Sequence, residues 1–282
     1  MKIRRPAQAG AFYPATRESL SSEIERCFLH KLGPGTLARP NPQGERKLVG
    51  LVCPHAGYEY SGPIAAHSYL ALAKDGIPKS VIILGPNHYG IGSGISMMTE
   101  GAWQTPLGEV SIDNEIAQRI LDHSDIIDMD ETGHAREHSI EVQLPFLQYL
   151  YGSEIKIVPI SMIMQDLETS RDVGHAIGNA VDGMNIVIVA SSDMTHYEPH
   201  QAAEQKDRKV ADAITHLDEE GLQQTVEENN ISMCGYGPVS TTIVAAKQLG
   251  ANNAKVVAYR TSGDMTGDYG QVVGYLSALI SR

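Results

Sequence analysis

The sequence predicts an α/β fold, a single domain with a largely parallel central sheet flanked by helices. Three observations carry this. Short Val- and Ile-rich runs without polar alternation recur along the chain, as expected of strands covered on both faces. Between them lie segments whose apolar residues repeat at helical spacing. The 282 residues, 42% hydrophobic and 20% charged, are enough to bury one large core.

Taken in order, a helix is expected over 19–31. The Pro- and Gly-rich stretch 32–47 follows as a surface connection. It comes too early to separate two domains of useful size, so 1–282 is read as one domain. The first buried strand is 47–53 (KLVGLVC) and the second 80–84 (SVIIL), with a helix over 63–74 between them. The segment 95–112, with Trp103, Pro106 and Gly108, reads as an inserted hairpin that extends the sheet. Ile140, Leu144 and Leu147 share a helical face, and Pro145 is expected to bend that helix and strip the Glu141 carbonyl of its amide partner. Strands at 155–162 and 185–190 come next. A helix over 201–217 presents Ala203, Val210, Ile214 and Leu217 on one face, and another carries Val239, Ile243 and Ala246. A fifth buried strand is expected at 254–259.

Composition narrows the function classes. The formal net charge is −12, which argues against a nucleic-acid surface. No run approaches the ~18 apolar residues of a membrane-spanning helix. The opening MKIRRPAQAGAFYP lacks the apolar stretch of a signal peptide. Three cysteines, Cys27, Cys53 and Cys234, read as reduced thiols, so a cytoplasmic location is expected. There is no Walker A sequence, no G-x-S-x-G elbow and no C-x-x-C pair. Gly90 to Gly94 is glycine-rich without being G-x-G-x-x-G.

The chemistry sits just past the strands. Pro54-His55-Ala56-Gly57-Tyr58 follows the first, Gly85-Pro86-Asn87-His88-Tyr89-Gly90 the second, and Ser191-Ser192-Asp193-Met194-Thr195-His196-Tyr197 the fourth. Each strand delivers a histidine to the rim where ligands bind in open α/β sheets, and the free amides there also suit anions. Neutral imidazoles from separate strands suit a first-row transition metal. Asp193, Glu141 and Cys234 are the candidates for a third ligand. Cys234 lies in a glycine turn that opens a helix, where the dipole favours a thiolate. His138 and Glu141 are three apart and share a face, as ligands, as partners that orient ligands, or as an acid/base pair.

Several of these segments occur together in one known family. Pro6 to Pro14 (PAQAGAFYP), Pro54 to Tyr58 with Ser61-Gly62, Gly85 to His88, Glu137 to Phe146 (EHSIEVQLPF) and Ser192 to Tyr197 resemble the Memo family, and Cys234-Gly235 and Gly267 to Gly270 fit as well. The likeness runs the length of the chain. It implies a fold like the class III, LigB-type non-haem iron dioxygenases, and a site in which His55, His88 and Cys234 hold the metal with Asp193 and His196 close by. Those dioxygenases use two histidines and a carboxylate. A thiolate is softer and also suits copper, so the implied cofactor is Fe(II) or copper. Family members are described as metal-dependent redox proteins and, in animals, as phosphopeptide-binding signalling adaptors.

The expectation is therefore a redox metalloprotein with oxidase- or dioxygenase-type activity. His55, His88 and Cys234 bind the metal. His138, Asp193 and His196 orient ligands or move protons, and Tyr58, Asn87, Tyr197 and Tyr236 line the pocket. Its partner is a small-molecule or peptide ligand, with neither nucleic acid nor membrane involved. Two other readings stand beside it. In one, Cys234 is the nucleophile of a hydrolase or transferase, with His55 or His196 as base and Asp193 orienting it. In the other, the cleft is vestigial and binds a phosphopeptide or small anion.

Overall fold

The computed structural model describes residues 2–282. The chain begins with β1 (Ile3–Arg4) and helix α1 (Arg17–Leu29), which starts where the Thr16 side chain accepts from Ser19 N. Strand β2 (Leu48–Cys53), helix α2 (Tyr58–Asp75) and strand β3 (Ser80–Pro86) follow. Then come β4 (Ile95–Met97), the hairpin β5 (Ala102–Thr105) and β6 (Gly108–Ile112), helix α3 (Asn114–Leu121) and β7 (Asp128–Met129). A 3-10 turn at Glu141–Gln143 leads into α4 (Leu144–Tyr151), followed by β8 (Lys156–Met162), α5 (Leu167–Val181), β9 (Ile186–Ser191) and β10 (His196–Glu198). The last third holds α6 (His200–Thr215), α7 (Glu219–Glu228), α8 (Tyr236–Gln248), β11 (Asn253–Thr261), the short α9 (Ser262–Thr266) and β12 (Val272–Ser281).

The central strands run in the order β8-β3-β9-β2, all parallel. Alternate residues serve opposite faces. Ile82, Leu84, Ile188 and Ala190 pack into one core cluster, and Val81, Ile83, Val187 and Val189 into the other. The first is covered by α3, α5, α6, α7 and α8, the second by α1, α2 and α4. Apolar layers on both sides explain why these strands show no polar alternation. The 95–112 segment does extend the sheet, with β5 antiparallel to β6 and β6 parallel to β8.

Two expectations are corrected, and a further strand completes the sheet. The strand expected at 254–259 is not buried on both faces. It lies within β11, which pairs only with β12 and is largely half-exposed. The strand antiparallel to β2 is instead β12, whose serines and glycine break the apolar run that marks the others. Pro145 does not bend a helix. It occupies the first turn of α4, where the missing N–H costs nothing, and the Glu141 carbonyl accepts from Leu144 N.

Because β3, β9 and β2 are neighbours, the loops at their carboxyl ends emerge side by side. Those loops carry His88, Asp193 and His55.

Candidate metal centre

His55, His88 and His138 each bring a ring nitrogen to one point, the three atoms lying within 4.8 Å of one another. The rings of His55 and His88 meet edge-on with centroids 5.3 Å apart, and those of His88 and His138 stack at 4.4 Å. His138 comes from no strand end. It precedes the 3-10 turn, on a segment held by the Ser139 hydroxyl donating to Pro86 O at 2.8 Å.

The hydrogen bonds fix which nitrogens are free. Ser191 Oγ donates its only hydrogen to Ser139 O at 2.6 Å. Its 2.9 Å contact with His55 Nδ1 therefore has the ring as donor, which leaves Nε2 with its lone pair. Gln143 Nε2 donates to the same hydroxyl at 2.7 Å and to Pro54 O at 3.0 Å, locking Ser191 in place. His88 Nδ1 donates to Glu137 Oε1 at 2.9 Å, which likewise frees Nε2. Glu137 also accepts from the main-chain N–H groups of His88, His138 and Ser139. Burial pushes this carboxyl upward, but the hydrogen bonds and the adjacent imidazoles outweigh it and bring it down to about 2.

His138 is held differently. Its Nδ1 lies 3.3 Å from Glu137 Oε1 without forming a hydrogen bond. Its ring packs instead against Phe12, with centroids 4.6 Å apart. Burial lowers the His138 pKa to about 4, and burial together with the neighbouring His138 and His88 rings drives that of His55 well below its usual value. His55 and His138 are thus held in the neutral form, the one that ligates metal.

Cys234 borders this cluster. Its Sγ is 3.2 Å from His55 Nε2 and accepts from Asp193 N, also at 3.2 Å. The loop comes this close because residue 235 is glycine: a Cβ there would lie 2.5 Å from Ser191 O. The expected thiolate is corrected. Burial, followed by the Asp193 charge, pushes the thiol well above its usual pKa, which favours the protonated form, with His55 Nε2 at 3.2 Å and Asp193 O at 3.6 Å as acceptors in reach. Asp193 Oδ1 accepts from His55 N at 2.8 Å, and burial raises its carboxyl to about 6 against that bond.

The remaining expected residues divide. His196 is partly exposed at the mouth, its Nδ1 2.8 Å from Ser232 O, and is not one of the three converging imidazoles. Tyr197, beside it, is 72% exposed with φ +58°, a strained conformation for a tyrosine. Tyr236 packs against the core at the start of α8. One expectation is corrected. Tyr58 does not line the pocket, because its hydroxyl donates to Val142 O at 2.7 Å and its ring is buried against Phe146. Asn87 shapes the loop, its Oδ1 accepting from Tyr89 N and Gly90 N and its Nδ2 donating to Ile91 O, and it lines a cavity on that loop's outer side. Glu141 is not a ligand either. It is fully buried, ion-pairs with Arg4, and accepts from Ala7 N, Gln8 N and the Tyr13 hydroxyl. It thereby anchors the segment that sets Phe12 on His138.

Glu137, Ser191, Gln143 and Phe12 went unnoticed in the sequence. Glu137 adjoins His138 and was the most legible of them. Ser191 ends an apolar run, and nothing local marks it or Phe12.

The donor set fits a first-row transition ion. It offers three imidazoles, two of them with outer nitrogens fixed as donors, and a thiol beside them. The sequence profile described as Memo-like protein matches residues 4–279. The chain belongs to the Memo-like family. It is 54% identical over 281 residues to a MEMO1 family protein of Methanopyrus kandleri, covering 99% of each chain. It is 51% identical to one of Methanothermobacter thermautotrophicus, covering 97% of this chain and 98% of that one. An uncharacterised protein of Escherichia coli K12 shares the fold of this Memo-like chain, with a TM-score of 0.54 at 16% identity, over 83% of this chain and all of that one. No helix among the described residues of the Memo-like chain is long and apolar enough to cross a membrane.

Proposed function

We propose that this Memo-like protein is a redox metalloprotein that binds iron(II) or copper through His55, His88 and His138, with Cys234 as a further ligand or proton source at the same point. The observation that carries the reading is the convergence of the three imidazoles within 4.8 Å. Once bound, such an ion supplies electron transfer and activation of a bound small molecule. The chain's own residues set the conditions. Ser191 and Glu137 fix the ring orientation of His55 and His88. The Cys234 thiol lies 3.2 Å from His55 Nε2, so it would compete with a bound ion for that nitrogen and would give up its proton on joining the ligand set. Asp193, buried and raised to about 6, and His196 at the mouth are placed to hold or pass protons.

A cysteine-hydrolase reading draws on the same 3.2 Å contact. It has weaker support, because the group on His55 Nδ1 is the Ser191 hydroxyl, and Asp193 accepts from the His55 main chain instead. Anaerobic titration with Fe(II) and with copper tests the proposal. Stoichiometric binding that is lost in His88→Ala supports it. Unchanged binding in His55→Ala, His88→Ala and His138→Ala alike refutes it.

A further inference from the structure

A cavity of about 300 Å³ lies on the outer side of the His88 loop. It is lined by Tyr89, Ile91, Gly133, Ala135, Arg136 and Glu137 among others, and its size is at the lower end of small-ligand sites. The loop that forms it is firmly built. Gly90 and Gly92 take φ of +62° and +100°, and a Cβ on Gly92 would lie 2.7 Å from the Gly133 main chain. Asn87 Nδ2 ties Ile91 O to Gly133 O. This geometry leaves Tyr89 and Ile91 48% and 44% exposed, two large apolar side chains over one concavity.

The cavity carries one charge of each sign, and the two are not equally available. Arg136 is exposed and forms no ion pair among the described residues. Glu137 faces the same space, but its oxygens already accept the N–H groups of His88, His138 and Ser139. The available charge is therefore the guanidinium, which presents a planar fork suited to a carboxylate.

We propose that this cavity is a binding subsite for a small organic monocarboxylate with an apolar body, the body seated between Tyr89 and Ile91 and the carboxylate on Arg136. Glu137 forms part of its wall and also holds His88, so the Glu137 carboxylate separates an occupant from the imidazole cluster. As a substrate subsite the proposal rests on the metal reading above. Binding to it needs no metal.

The test uses the full chain without added metal, with 4-phenylbutyrate as probe and 4-phenylbutylamine as its charge-reversed control, followed by saturation-transfer NMR and calorimetry. The carboxylate is expected to bind at least about tenfold more tightly than the amine, and Arg136→Gln and Tyr89→Ala are each expected to weaken it by about tenfold. No binding at low-millimolar probe, equal binding of the two probes, or affinity unchanged in both variants overturns the proposal. Titrating the same samples with Fe(II) separates the two claims. Normal metal uptake without probe binding sinks the subsite alone, and probe binding without metal uptake sinks the metal reading alone.

Discussion

The Cys234 thiol and His55 Nε2 lie 3.2 Å apart, although the two residues come from opposite ends of the chain. His55 Nδ1 is already spent on Ser191, so this contact falls on the one nitrogen of His55 free to bind an ion. An ion bound there would compete with the thiol for that nitrogen, and a thiol that joined the ligand set would release its proton.

That release is countable. Calorimetric titration with Fe(II) at pH 7, in two buffers of different ionisation enthalpy, should show release of about one proton per ion, and none in Cys234→Ala. Equal proton release in both proteins contradicts the role given to Cys234.

Ser191 and Glu137 should matter to the metal without touching it. Ser191→Ala removes the acceptor that fixes the His55 ring, and Glu137→Gln weakens the one that fixes His88. Each is expected to cost about 10- to 100-fold in metal affinity while the far-ultraviolet circular dichroism is kept. Wild-type affinity in both variants would show that the hydrogen bonds play no part.

Glu141 is predicted to be structural. Replacing it by Ala leaves Arg4 buried without its partner and frees three donors of the N-terminal segment. A loss of about 3–5 kcal/mol in urea unfolding is expected, together with new proteolytic cleavage before Tyr13. A loss below about 1 kcal/mol, the range of surface pairs, would contradict the anchoring role.

His134 gives a pH prediction. It is fully buried, packed edge-on against Trp103, and burial followed by the Arg4 charge lowers its pKa to about 4. The unfolded chain binds this proton near pH 6.5 and the folded chain only near 4, so stability is lost as pH falls through that window. The contribution is roughly 3 kcal/mol. In His134→Gln, unfolding free energies at pH 7 and pH 4 should differ by that much less than in wild type. An identical pH dependence contradicts the assignment.

How much of this was legible follows from the physics of each residue. The central strands were readable because burial on both faces leaves an uninterrupted apolar run, as at Val81–Leu84 and Val187–Ala190. Strand β12 was not, since Gly274 and Ser277 sit where close contacts need small residues. A Cβ on Gly274 would lie 2.0 Å from Asp207 Oδ2, and the Ser277 hydroxyl donates to Ile64 O. His55 and His88 stood out because strand ends converge in this fold class. His138 was read as a helper rather than a member of the cluster, because it belongs to no strand. Tyr58 follows His55 just past a strand end, yet packing against Phe146 decides its place, as is common for a tyrosine beside a glycine turn. Long-range pairings such as Phe12 on His138 leave no local mark at all.

The central claim is that three imidazoles share one metal ion. It is tested most directly by elemental analysis of anaerobically prepared protein reconstituted with Fe(II) or copper, comparing wild type with His138→Ala. About one ion per wild-type chain and a clear loss in the variant is the predicted result. Equal metal content in the two proteins would contradict it.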